Sequence, residues 1–124
     1  MKRDDGFIYF LRELLEPLGV ITVRRMFGGH GAYVDGLFIA IVIDGRLYLK
    51  VDELTRADFQ LQGSAPFVYQ SGDKTIEMSC WNAPEEALDS PEQMRPWAQR
   101  AIAAALYKPA VKGGRSPRSA SRSR

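Results

Sequence analysis

The chain has 124 residues, 45% of them hydrophobic, which suits one domain able to bury its own core. Residues 108–124 hold 6 of the 17 basic residues and no acid, leaving 11 against 15, or −4, for residues 1–107; a mildly acidic body carries a basic tail. One cysteine, Cys80, excludes an internal disulfide and points to a reducing cytoplasm, and neither a secretory signal nor a membrane-length apolar run is read in the chain.

Phe7, Phe10, Leu11, Leu14 and Leu15 recur at helical spacing, so the first element is an amphipathic helix, capped by Asp4 or Asp5 and stopped by Pro17 and Gly19. Val20 to Phe27 is expected as a first strand, rich at its start in β-branched residues. Gly28-Gly29-His30-Gly31 is expected to break regular structure. Asp35-Gly36 and Asp44-Gly45 then stand between apolar runs, and Asp-Gly favours the tight hairpin turn whose twist matches paired strands. Three consecutive antiparallel strands follow.

In the last of them Leu47, Leu49 and Val51 alternate with Arg46, Tyr48 and Lys50, so one face is buried and the other meets solvent or a partner. The strand from Leu37 to Ile43 is apolar on both faces, which calls for a helix or a second subunit over its second side. Asp52 to Leu61 is predicted as a short helix ended by Gly63. Strands from Pro66 and from Lys74 to Trp81 flank a Ser71-Gly72-Asp73 turn, with Ile76, Met78 and Cys80 facing one way.

Pro84-Glu85-Glu86 reads as a helical first turn, and Ser90 with Gln93 as a capping box opening a helix through Met94, Trp97, Ala98, Ala101, Ile102 and Ala105. Pro96 conflicts with that helix, predicting a kink or a restart there. From Lys108 onward the Pro, Gly, Ser, Arg and Lys composition predicts a disordered basic tail, separate from a domain over residues 1–107.

Little in this inventory points to catalysis. The Gly28, Gly29, Gly31 cluster lacks the lysine and following helix of a phosphate loop. His30 is the only histidine, and no spacing nominates the further ligands a metal would need, so neither metal nor cofactor is expected. A Cys80–His30 nucleophilic pair is conceivable, but Cys80 shares the alternation of Ile76 and Met78, which marks a buried, inert thiol. Adjacent strand residues face opposite sides, so at most one of Arg24 and Arg25 points inward, and either could contact an acidic group. Tyr33, Tyr48, Tyr69 and Trp81 suffice for a stacking surface, yet the acidic body favours a core or dimer-interface role for these rings. Arg115, Arg118, Arg122 and Arg124 make the tail the main candidate for contact with phosphates.

Arg24-Arg25-Met26-Phe27-Gly28-Gly29-His30-Gly31, then Asp35-Gly36-Leu37-Phe38, then Arg46 to Asp52, then Pro66-Phe67-Val68-Tyr69, Met78-Ser79 and Pro84-Glu85-Glu86, resemble in order and spacing the N-terminal domain of the TfoX/Sxy competence-regulator family. The resemblance covers about residues 5 to 106. It implies a two-layer α+β fold, a mostly antiparallel sheet packed against helices as in secretion-chaperone-type domains. It also implies a link to control of DNA-uptake genes, where full-length members act as coactivators beside a DNA-bound transcription factor. No enzymatic site comes with it. Full-length members carry a second, helical domain after the first, where this sequence has the basic tail. The position of Cys80 more often holds an aromatic in relatives.

The reading that follows is a bacterial, cytoplasmic, non-enzymatic domain that acts by protein contact in transcription or competence regulation. Arg24, Arg25, His30, Arg46, Tyr48 and Lys50 are the expected partner-binding residues, with transcription machinery as a candidate partner and no membrane contact. A homodimer is compatible with it. The alternatives are a nucleic-acid module whose tail supplies affinity, and an enzyme using Cys80 and His30.

Overall fold

The computed structural model describes residues 5–26 and 28–107. The apolar stripe of the first segment forms α1 (Asp5–Leu15), and Leu11, Leu14 and Leu15 are buried. Pro17 sits in a 3-10 turn over Glu16–Leu18, which Gly19 ends. Asp4, one of the two expected caps, lies outside the described residues.

The meander follows as β1 (Ile21–Met26), β2 (Gly29–Val34), β3 (Leu37–Ile43) and β4 (Arg46–Lys50), each antiparallel to the next. Both Asp-Gly pairs adopt the left-handed backbone that the tight hairpin turn demands, with φ of 50° and 84° at Asp35 and Gly36 and 53° and 73° at Asp44 and Gly45. Asp35 also ties the turn to the start of β1: its carboxylate accepts from Val20 N and its own amide donates to the Val20 carbonyl. Between Ala32 and Tyr33 the pairing to β3 slips by one residue, from Ala40 to Phe38. Ile39 is the extra residue of this bulge, so Ile39 and Ala40 both join the core.

The glycine cluster does not interrupt the sheet as expected. Gly29, His30 and Gly31 lie within β2, all three paired with β1 and the last two also with β3, and Gly28 takes the left-handed turn conformation, at φ 76°. The reason is space rather than flexibility. A Cβ on Gly29 would lie 2.1 Å from the Val42 carbonyl oxygen, and one on Gly31 would lie 2.7 Å from the Met26 thioether.

The helix expected over 52–61 is shorter, as α2 (Arg56–Leu61). Asp52 and Thr55 hold the preceding turn reciprocally. Asp52 Oδ1 accepts from the Leu54 and Thr55 amides, and Thr55 Oγ1 accepts from the Asp52 amide. Of its apolar side chains and those just before it, Phe59 is buried while Leu54 and Leu61 are exposed. Next come β5 (Pro66–Ser71) and β6 (Lys74–Asn82), joined at a turn with Gly72 left-handed.

A 3-10 turn at Glu85–Leu88 leads into α3 (Pro91–Leu106). Ser90 caps it as predicted, its hydroxyl accepting from the Gln93 amide at 3.1 Å. Pro96 does not divide α3, which runs unbroken past it. Pro96 is on the exposed side, and burial of Met94, Trp97, Ala98, Ala101 and Ala104 along the other side offsets its missing amide.

The sheet order is β1-β2-β3-β4-β6-β5. Side chains of α1, α2 and α3 share one core with Val34, Ala40, Val42, Leu47, Leu49 and Trp81, all on one face of the sheet. This is the two-layer α+β fold expected from the sequence. Arg100 joins α3 to α2, pairing with Asp58 at 2.9 Å while its guanidinium covers the Trp97 ring at 4.5 Å. No helix among the described residues is long and apolar enough to cross a membrane.

Candidate functional site

The second face of the sheet follows from register, because residues directly opposite in an antiparallel pair point the same way. Tyr48 lies opposite Ile41, Ile41 opposite Gly31 and Gly31 opposite Arg24. On the other side Lys50 lies opposite Cys80, and Ile76 opposite Tyr69. Apart from Ala104, the buried helix side chains belong to the opposite core, so among the described residues no helix covers this face. The cover expected over β3 is therefore not a helix. Ile41 is nonetheless fully buried among the side chains of this face.

Those side chains are mainly aromatic. Tyr33 and Phe38 meet with ring centroids 5.5 Å apart, Tyr48 packs edge-on against Phe67 at 5.1 Å, and Phe67 stacks with Tyr69 at 6.2 Å. Cations lie over two of the rings. Arg24 is 5.7 Å from the centre of Tyr33, and Lys50 is 5.8 Å from the centre of Phe38. Alternation adds Arg46 and Lys74 to the same face and brings no aspartate or glutamate of any described strand onto it.

The structure thus gathers Arg24, Arg46, Tyr48 and Lys50, four of the six expected contact residues. It does not gather Arg25 and His30. These two lie opposite each other, and His30 lies opposite Val42, so they point to the helix-bearing side. Phe38 and Phe67 belong to the site and were not singled out in the sequence. Alternation of Phe67 with Tyr69 was a signal for one of them. Of the four rings considered for stacking, Tyr33, Tyr48 and Tyr69 lie here, whereas Trp81 faces the core. Arg115, Arg118, Arg122 and Arg124 lie outside the described residues.

The match to the family model described as the TfoX N-terminal domain spans residues 13–105. The chain belongs to that family. No curated protein matches it. In this TfoX N-terminal domain the site after Met78-Ser79 is Cys80, on the open face yet almost fully buried beneath it.

Burial pushes the Cys80 thiol up to about 11, against the opposing pull of Lys50 across the strand pair. His30 is three strands away, on β2, and faces the other side, so strand spacing alone separates the two by about 14 Å. The structure does not form the Cys80–His30 pair. Among the described residues no group of three or more His, Cys, Asp or Glu side chains is placed to hold a metal ion.

Cys80 should therefore resist a disulfide reagent at pH 8 in the folded protein and react at once in urea. Its folded value is raised from 9.0 to about 11, so the unfolded chain loses this proton first. The stabilisation is complete below the lower value and is lost as pH rises through the upper one. Rapid modification of the folded protein at pH 8 would contradict this burial.

Proposed function

We propose that this domain is a non-catalytic, competence-related regulatory domain of the bacterial cytoplasm that works by binding a protein partner on the open face of its sheet. One observation carries the reading: a six-stranded sheet whose described helices all lie on one side, and whose other side presents five aromatic rings and four cations. Exposed apolar surface rimmed by charge is what a contact surface requires. Family membership supports a regulatory role. Catalysis would need a nucleophile, base or acid poised in a cleft, and the buried Cys80 and its distance from His30 argue against the one pairing the sequence suggests.

The test is capture from nuclease-treated bacterial lysate with the full chain and with Tyr48→Ala/Lys50→Ala. Capture should be lost in the double variant, while far-ultraviolet dichroism stays native and stability falls by about 1 kcal/mol for the missing ring contact. Capture by a folded double variant would refute the surface assignment. Capture abolished by nuclease would move the function to the basic tail.

A further inference from the structure

The open face is cationic within an acidic body. Arg24, Arg46, Lys50 and Lys74 share it, no described strand residue on it is acidic, and residues 1–107 carry −4 overall. Among the described residues no carboxylate pairs with Arg24, Arg46 or Lys50. Arg24 and Lys50 are instead held over Tyr33 and Phe38, with their positive charge at the surface. We infer that this face docks an acidic protein segment, its carboxylates meeting Arg24, Arg46 and Lys50 and its apolar side chains lying on Tyr48, Phe67 and Tyr69.

The inference rests on the protein-contact reading and narrows it by charge complementarity. A second copy packed face to face would set cations against cations and bring no carboxylate to pair with them, which like-charge repulsion disfavours. Single-stranded nucleic acid needs ring faces open to bases. Here a cation covers Tyr33 and another covers Phe38, while Tyr48 and Phe67 meet edge to face. An acidic polypeptide needs only the cations and the apolar floor between them.

Fluorescence anisotropy with the full chain tests this, using a labelled peptide that alternates Glu with Leu and Phe. The comparison probes are the same peptide with Gln for Glu and a single-stranded oligothymidylate of equal length. The Glu peptide should bind at least about tenfold more tightly than its Gln form, and Arg24→Gln/Lys50→Gln should weaken it about tenfold. Arg25→Gln, on the opposite face, and Arg115→Gln/Arg118→Gln, in the tail, should each change it less than about twofold.

Equal binding of the Glu and Gln peptides would overturn the proposal, as would no saturable binding or binding that follows the tail variant. Tighter binding of the oligothymidylate, lost in Arg24→Gln/Lys50→Gln, would replace the acidic segment with nucleic acid. Self-association in sedimentation that Arg24→Gln/Lys50→Gln strengthens would replace it with a second copy. If the lysate partner still depends on Tyr48 and Lys50 while the peptide fails, the protein-contact reading stands and only this partner chemistry falls.

Discussion

Gly29→Ala will destabilise the domain by about 3 kcal/mol, an effect at the upper end for one added methyl group. The new Cβ would lie 2.1 Å from the Val42 carbonyl oxygen, 2.7 Å from Ile43 Cγ1 and 3.2 Å from Ile43 Cα. Two of those three atoms are backbone of β3, so no rotamer change relieves the contact. Strands β2 and β3 must separate at the Gly29 end, which strains the neighbouring His30–Val42 pair. Gly6→Ala is the natural control. It lies within α1 with nothing within 4 Å of the new atom, and alanine there should add about 0.5–1 kcal/mol of stability. Urea titration of the two variants should move the midpoint in opposite directions. A loss below 1 kcal/mol at Gly29 would mean the strands are not that close.

Trp97→Ala should be comparably damaging, at about 3–5 kcal/mol. Trp97 is 5% exposed and meets Phe59 edge to face at 5.0 Å, so it joins α3 to α2 inside the core. Its indole nitrogen donates to Glu86 at 3.4 Å, which ties α3 to the turn before it, and Arg100 covers the ring from outside. Truncation leaves a cavity between two helices that only side chains hold together, and it strips the Arg100–Asp58 pair of its apolar support. Domains of this size are stable by about 5–15 kcal/mol, so the variant keeps only part of that margin, and its melting temperature should fall by more than about 15 °C. Trp97→Phe should recover most of the loss. A shift of a few degrees in Trp97→Ala would show that α2 does not depend on this contact.

The hairpins and the cap of α3 were legible because each requirement is local. Asp35-Gly36 and Asp44-Gly45 name their own turn, Ser90 and Gln93 their own cap, and the spacing from Phe7 to Leu15 its own buried stripe. What was misread depends on residues distant in the chain. Gly29 and Gly31 looked like a loop because glycine permits loops, yet their neighbours are Val42, Ile43, Met26 and Phe38. Pro96 is the local exception: it starts no new helix, and the helical spacing of Met94, Trp97 and Ala98 on either side already marked the stripe whose burial carries α3 past it. Arg24 could be told from Arg25 only with the register, which places one opposite Gly31 and the other opposite His30. The aromatic face was partly visible as Tyr33, Tyr48 and Tyr69, but slips in pairing at Ile39 and near Phe67 decide which further rings join it.

The neighbour order of the strands also sets a folding schedule. β1 to β4 pair in sequence through short turns, and so do β5 and β6, so each of these ladders closes a small loop. The β4–β6 seam is different: it joins Lys50 to Cys80 through only three paired positions, Tyr48–Asn82, Leu49–Trp81 and Lys50–Cys80. Closing that longer loop costs about 2 kcal/mol more entropy than closing a two-residue turn. Loop length alone therefore favours pairing within the meander and within the β5–β6 hairpin before their union, which core burial of Leu49 and Trp81 rewards. The contact between Tyr48 and Phe67 crosses that seam, so the open face is completed only when the last part of the sheet is in place.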